Sequence, residues 1–152
     1  MSPPDYPTIT LTAAEIDACT AAARARIALT LTLSRFGETK DSPAQLAARI
    51  LGVCGEHAFA NFRGVVVPDY VALRGKGADV DGFEVRTTRT GYLPVRPRDT
   101  DDAMPVAGVS TPDGRLFRMR GHTTVGAAKR PEWRCEDEPA YWRMPLTELT
   151  PW

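Results

Sequence analysis

The sequence predicts an α+β domain, because two segments with helical periodicity precede a run of short strands. Apolar residues recur at three- and four-residue spacing over 13–36 and 43–63. From residue 65 onwards, strand-like stretches alternate with turns rich in Gly and Pro. The chain has 152 residues, of which 43% are hydrophobic, so it is long enough to bury a core of its own. We therefore expect a single domain spanning 1–152.

The first helix is predicted to begin after a capping box, Thr12-Ala-Ala-Glu15. In this motif the Thr side chain accepts a hydrogen bond from a helical N–H, and the Glu side chain reaches back to the cap. The helix should run to about Phe36, although the alternation Leu29-Thr-Leu-Thr-Leu33 also fits a strand. Residues 1–10 contain three prolines and are predicted to form an extended arm.

The second helix is predicted to start with Ser42 as its cap and Pro43 at the first helical position, and to end at Gly64. Its apolar stripe passes through Leu46, Ile50, Val53, His57 and Ala60. On a helical wheel Glu56 falls at the border of this stripe. We therefore expect the Glu56 carboxylate to lie at the edge of the core.

Short strands are predicted over most of the remaining chain. The tail, residues 130–152, is rich in Pro and Trp and should pack on the sheet, with a short strand near 142–144. The other strands are expected at 65–67, 83–88, 92–95, 103–109 and 116–121, with turns at Gly75-Lys-Gly77 and Thr111-Pro-Asp-Gly114.

Composition narrows the class of protein. Lys plus Arg and Asp plus Glu both number 19, and this balance argues against a protein that coats nucleic acid through a general basic excess. The longest apolar stretch, Ile27 to Leu33, is too short to cross a bilayer, and the first ten residues lack the features of a secretion signal. Three widely spaced cysteines fit reduced thiols. These features predict a cytoplasmic protein without a membrane partner.

The stretch Asp79-Val-Asp-Gly-Phe-Glu-Val-Arg86 concentrates the charged groups. Glu84 and Arg86 lie two residues apart on a predicted strand and so project from one face. An exposed ion pair is the simplest interpretation. Asp79 stands across the Asp81-Gly82 turn from Glu84, and Glu56 supplies a third acid. Asp81 is the alternative to Asp79.

A helix-borne Glu, then an Asp, then Glu-x-(Lys/Arg) on a strand resembles the PD-(D/E)XK nuclease superfamily, and in particular its small phage-encoded members. A later Gly121-His-Thr-Thr-Val-Gly126 segment followed by Lys129 fits the same pattern, so the resemblance covers about 44–130. It implies a mixed β-sheet flanked by helices, with a restriction-endonuclease-like core, and hydrolysis of DNA phosphodiester bonds. It further implies that Asp79 and Glu84 hold Mg²⁺ or Mn²⁺, with Glu56 ligating directly or through water, and that Arg86 completes the catalytic set.

Arg86 is a departure from the superfamily, which usually has Lys at this position. Arg stays protonated and can steady a phosphate, but it cannot take a proton from water. Lys76 or Lys129 is the candidate for supplying an ammonium group. The alternative is a non-catalytic interaction or regulatory protein that retains the fold with a degenerate site.

Basic residues supply the candidate DNA contacts. Arg118 and Arg120 are predicted to share a strand face, with Lys129 and Arg130 beyond them, although a solvated face is an equal alternative. DNA is therefore the expected partner, and a homodimer stays an open alternative. The three Trp residues fit packing better than base stacking.

A zinc site would need Cys54, His57, His122 and Cys135 as its ligands. Such a site is disfavoured because the spacing of these residues is not that of a zinc finger and because His57 lies on the apolar stripe.

Overall fold

The computed structural model describes residues 4–33, 43–67, 79–137 and 140–152. Two long helices precede most of the strands, which confirms the predicted α+β class. The helices are α1 (Ala13–Leu33), α2 (Pro43–Arg63) and the single turn α3 (Val125–Ala128), and the strands are β1 (Thr8–Thr10), β2 (Glu84–Thr88), β3 (Tyr92–Val95), β4 (Pro105–Ser110), β5 (Leu116–Thr124), β6 (Arg134–Cys135) and β7 (Tyr141–Pro145). Single turns of 3₁₀ helix occupy Pro131–Trp133 and Leu146–Glu148.

The strands form two sheets. The larger sheet has the order β1-β5-β4-β2 and is mixed, since β2 runs parallel to β4 while the other pairs are antiparallel. The smaller sheet has the order β3-β7-β6 and is antiparallel. The expected mixed sheet flanked by helices is therefore confirmed.

The two sheets and the helix pair form three layers. Along β4, Ala107 and Val109 pack with α1 and α2, whereas Val106 packs with residues of the small sheet. Both faces of β4 are buried, which is why its sequence is apolar without alternation. The core on the helix side includes Phe59, Phe117 and Met119, and the core on the other side includes Leu93, Met144 and Leu146.

The predicted capping box joins the two long helices. The Glu15 N–H donates to Thr12 Oγ1 at 3.1 Å, and Glu15 Oε1 accepts from the Thr12 N–H at 3.4 Å. The other oxygen of Glu15 accepts from Asn61 at 2.9 Å and lies 3.0 Å from His57 Nε2. One carboxylate thus caps α1 and ties it to α2.

The structure corrects or extends two local predictions, and three others lie outside the described residues. No strand forms at 65–67, because the Val65 N–H donates to the Ala60 carbonyl as α2 ends, and the Val66 side chain is 92% exposed. Part of the predicted arm, Thr8–Thr10, is a strand paired with β5. The helix end at Phe36, the cap Ser42 and the turn Gly75-Lys-Gly77 lie outside the described residues.

Helix α2 approaches the mixed sheet closely at Gly55. A Cβ at Gly55 would lie 1.7 Å from Thr87 Oγ1, so the helix backbone rests directly on β2. Only Gly permits this distance. The contact places the residue after Gly55, Glu56, beside the end strand of the sheet.

We expect Gly55→Ala to destabilise the protein by about 1–3 kcal/mol, because the new methyl group overlaps Thr87 and forces the helix and strand apart. Gly52→Ala is the matched control on the same helix, since a Cβ there meets nothing within 4 Å. It should leave stability unchanged or raise it by up to about 1 kcal/mol through helix propensity. Urea denaturation measures both variants, and equal midpoints for the two would contradict the close contact.

Candidate functional site

Asp79 is fixed to the edge of β2 by a tight turn. Asp81 and Gly82 have φ values of 48° and 81°, and the backbones of Val80 and Phe83 exchange hydrogen bonds of 3.0 and 2.8 Å around them. This returns the chain so that Asp79 Oδ2 accepts the Val85 N–H at 3.0 Å. Within the described residues β2 is the end strand of the mixed sheet, and there the Asp79 carboxylate accepts a hydrogen bond that a neighbouring strand would otherwise accept.

Glu84 and Arg86 project from the face of β2 that is turned away from the helices. Val85, between them, packs in the helix-side core, so the alternation of the strand sends its neighbours the other way. The Arg86 guanidinium donates to Glu84 and, at 2.9 Å, to Asp99 Oδ1. The expected Glu84–Arg86 ion pair is present and is extended by a third residue.

Asp99 is held in place from several sides. Its Oδ2 accepts the Arg96 backbone N–H at 2.8 Å, and its carbonyl oxygen accepts from Lys129 Nζ. The Lys129 ammonium also lies 3.6 Å from Asp102 and 5.4 Å from the Trp142 ring centroid. Lys129 therefore lies next to the group formed by Glu84, Arg86 and Asp99. Lys129 was one of the two lysines predicted to supply an ammonium group there.

Glu56 approaches the same strand edge from the helix side. It is only 7% exposed, and its Oε2 lies 3.8 Å from Arg26 Nη2 on α1. Burial raises the pKa of Glu56 to about 8, with a further increase from the Asp79 charge and an opposing effect of Arg26. Glu56 thus holds its proton near neutral pH.

The pKa values of the two other predicted acids are also raised. Burial raises the pKa of Asp79, against the lowering effects of the Val85 N–H, Arg86 and Arg26. Burial likewise raises the pKa of Glu84, with Arg86 opposing it and the charges of Asp99 and Asp79 adding to it. Asp79 therefore interacts electrostatically with acids on both sides of β2.

The three predicted acids flank the strand edge without meeting at one point. Within the described residues, no three His, Cys, Asp or Glu side chains come close enough together to hold a metal ion. Asp79 lies between Glu56 on the helix side and Glu84 on the other face. Asp79 Oδ1 and Glu84 Oε2 accept no hydrogen bond from the described residues, whereas the second oxygen of each is used.

The alternative acid, Asp81, and two of the predicted basic residues, Arg120 and Arg130, are engaged elsewhere. Asp81 pairs with Arg63 at 2.8 Å, which turns its carboxylate away from Asp79. Arg120 lies 4.3 Å from the Tyr6 ring centroid and donates to Ser110 at 3.3 Å. Arg130 lies 3.7 Å from Glu132.

Arg118 is the exposed member of the predicted basic strand face. The pairing of β5 with β4 shifts register beside Arg120, so that Arg120 has no direct partner on β4. Lys76 lies outside the described residues. Of the predicted cations that are described, Lys129 and Arg86 are those beside the acids.

The four potential zinc ligands do not assemble. His57 pairs with Glu15, and the His122 ring packs 4.9 Å from the Trp152 ring, between centroids. Cys54 is buried in the helix-side core, whereas Cys135 belongs to the small sheet. The contacts of both histidines are therefore structural: His57 joins α2 to Glu15, and His122 packs on Trp152.

Sequence reasoning missed Arg26 and Asp99. Arg26 is separated from Glu56 by 30 positions and a helix–helix contact, and helical periodicity alone did not mark it. Asp99 belongs to the acidic run Asp99-Thr-Asp-Asp102, which resembles an ordinary polar loop. Asp99 comes close to Glu84 and Arg86 because the chain passes from β2 in the mixed sheet to β3 in the small sheet. No local sequence pattern indicates this contact.

Comparison with known proteins gives no assignment: no family model, no curated protein and no solved structure matches the chain. The PD-(D/E)XK resemblance therefore stays a prediction carried by the residues themselves. No helix within the described ranges has the length and apolar character that crossing a membrane requires.

The raised pKa of Glu56 predicts a stability that falls with rising pH. Between its ordinary pKa of 4.5 and about 8, the native state keeps a proton that the unfolded chain has released. The stabilisation is complete below the lower value and is lost as pH rises through the upper one, at about 1.4 kcal/mol per pKa unit. Urea titrations in EDTA from pH 5 to pH 9 measure the slope.

Glu56→Gln replaces the protonated carboxyl with a neutral amide and should flatten this slope. Glu148→Gln, at an exposed position, is the matched control and should keep it. A wild-type stability that rises over the same range would show that Glu56 is ionised in the native state.

Proposed function

We propose that this protein is a metal-dependent, nuclease-like hydrolase of DNA phosphodiester bonds, with its site at the open edge of β2. The observation that carries the proposal is the set of half-buried or buried carboxylates, Glu56, Asp79 and Glu84, around one strand edge beside Arg86 and Lys129. Carboxylates are rarely buried together for stability alone, because each loses hydration and repels the others.

The free oxygens of Asp79 and Glu84 suit a hard divalent cation. Mg²⁺ is commonly held by one or two carboxylates, with water and phosphate oxygens completing its octahedron. Two ligands therefore suffice, and the lack of a three-residue group in the described residues fits such an open site. Glu56 would act through water, because it approaches from the opposite side of β2.

The surrounding side chains have separate tasks in this proposal. A divalent ion held by Asp79 and Glu84 would supply charge that polarises the scissile phosphate and lowers the pKa of a bound water. Arg86 donates hydrogen bonds to the phosphate oxygens once a substrate competes with Glu84 and Asp99 for its guanidinium. Glu56, with its pKa of about 8, exchanges a proton with the site near neutral pH.

A non-catalytic interaction or regulatory protein is the second candidate, and the contacts of Arg86 favour it. The guanidinium is already shared between Glu84 and Asp99, and Lys129 is bound to the Asp99 carbonyl. A network satisfied in this way can serve to fasten the small sheet to the mixed sheet. The two experiments below separate the candidates.

Mg²⁺ or Mn²⁺ should raise the melting temperature of the wild-type protein by binding the native state. At a concentration one hundred times its Kd, the gain is about 2.7 kcal/mol. Glu84→Gln should abolish this response while remaining folded, and Glu148→Gln should keep it. If the melting temperature of the wild type did not change, or if that of Glu84→Gln rose as much as that of the wild type, the metal would not bind at this site.

Arg86→Lys should lower DNA cleavage in Mn²⁺ by about tenfold, which corresponds to about 1.4 kcal/mol of barrier. The ammonium group cannot reproduce the two-pronged contact that a guanidinium makes with phosphate. Arg24→Lys, an exposed position on α1, should leave cleavage unchanged. Gel assays on single-stranded, duplex and branched DNA measure activity. Absence of cleavage in the wild type on all three, together with no gain in Arg86→Lys, would support the non-catalytic candidate.

A further inference from the structure

The small sheet presents one face to its own core and the opposite face to the surroundings. Leu93, Val95 and Met144 are buried against the mixed sheet, so their neighbours along β3 and β7 point outwards. The pairing of Tyr92 with Pro145, and of Pro94 with Arg143, places these residues side by side. We call this outward face the Tyr–Arg face; it comprises Tyr92, Pro94, Tyr141, Arg143 and Pro145.

Flat side chains dominate the Tyr–Arg face. Tyr92 is 40% exposed, and the guanidinium carbon of Arg143 lies 4.2 Å from its ring centroid. Tyr141 stands on the same side of β7 four residues before Pro145, about 13 Å along the strand at 3.3 Å per residue. The face therefore offers two separate aromatic positions with a planar cation near one of them.

Hollows lie at both ends of the Tyr–Arg face. The smaller, about 180 Å³, is lined by Tyr92 and Arg143 together with residues of the β6 segment. The larger, about 700 Å³, is lined by Pro94 and Tyr141, and also by Arg96 and Arg98. The aromatic side chains thus line recesses that could admit a planar ring.

The described residues that line the two hollows include four arginines (Arg96, Arg98, Arg134 and Arg143) and two acids (Glu132 and Asp137), an excess of positive charge in a chain that is neutral as a whole. Arg96, Arg98 and Arg143 form no ion pair with any described residue. Asp137 is the acid that lines the larger hollow in the described part of the chain. A polyanion that also carries planar apolar groups complements this combination.

We infer that the Tyr–Arg face binds single-stranded nucleic acid, with bases stacked on Tyr92, Tyr141 and the Arg143 guanidinium and phosphates attracted by Arg96 and Arg98. Aromatic rings interleaved with arginines along a positively charged groove bind single strands with little regard to sequence. A duplex keeps its bases stacked inside and offers the face only phosphates. The inference does not require hydrolysis, and so it stands apart from the site at the β2 edge.

Fluorescence anisotropy of a labelled oligo-dT with the full chain, at low salt and in EDTA, tests the inference. Because EDTA removes divalent ions, the result is independent of the proposed hydrolysis. We expect saturable binding that is weakened about tenfold by Tyr92→Ala, by Tyr141→Ala and by Arg143→Ala, in line with the contribution of one stacked base. Tyr92→Phe keeps the ring and should bind like the wild type.

Arg24→Ala is the charge-matched control, because Arg24 is exposed on α1, on the opposite side of the mixed sheet. It should leave the affinity near the wild-type value. Unlabelled oligo-dT should compete far better than duplex DNA or inorganic polyphosphate. Absence of binding, equal losses in Arg24→Ala and Arg143→Ala, or equal competition by polyphosphate would each overturn the inference. Melting temperatures of all variants establish that they are folded.

Discussion

The contact between Gly55 on α2 and Thr87 on β2 determines where the charged residues of this protein meet. A helix normally packs on a sheet through side chains, but here the absent side chain of Gly55 lets the backbone touch the strand. The next residue, Glu56, is thereby buried beside an end strand whose outer hydrogen-bonding groups would otherwise be open. A shift of α2 away from β2 would expose Glu56 and weaken its interaction with Asp79, so the electrostatics at the edge depend on this one close approach.

Each acid at the edge of β2 has a different partner. On the helix side Arg26 faces Glu56, at the edge the Val85 N–H satisfies Asp79, and on the far face Arg86 links Glu84 to Asp99. Each partner lowers a carboxyl pKa that burial has raised, and for Glu56, Asp79 and Glu84 burial has the larger effect. The carboxyl groups of the three acids therefore hold their protons more tightly than exposed carboxyl groups do.

Sequence reasoning was most successful where the signal is local. The capping box at Thr12, the Asp81-Gly82 turn and the strand alternation around Val85 depend on neighbouring residues, and the structure contains all three. The strand predicted at 65–67 was wrong. Three consecutive valines have a high strand propensity, but this propensity depends on tertiary context, and Val66 is exposed in the structure.

The rest of the candidate site depends on distant contacts. The contact of Arg26 with Glu56 requires the packing of α1 on α2. The contact of Asp99 with Arg86 requires that the chain pass from the mixed sheet to the small sheet at β3. A register shift between β4 and β5 leaves Arg120 without a direct partner on β4. No alternation rule shows that shift, because the rule assumes a regular ladder.

The segment after β3 connects the two surfaces for which functions are proposed. It begins with Arg96 and Arg98, which line the larger hollow of the Tyr–Arg face. It continues to Asp99, whose carboxylate holds Arg86 at the edge of β2 and whose carbonyl holds Lys129. The Arg96 backbone N–H also donates a hydrogen bond to the Asp99 side chain, so the two parts of this segment are joined locally. A nucleic-acid strand lying on the Tyr–Arg face would therefore contact the same short segment that supplies Asp99, the partner of Arg86.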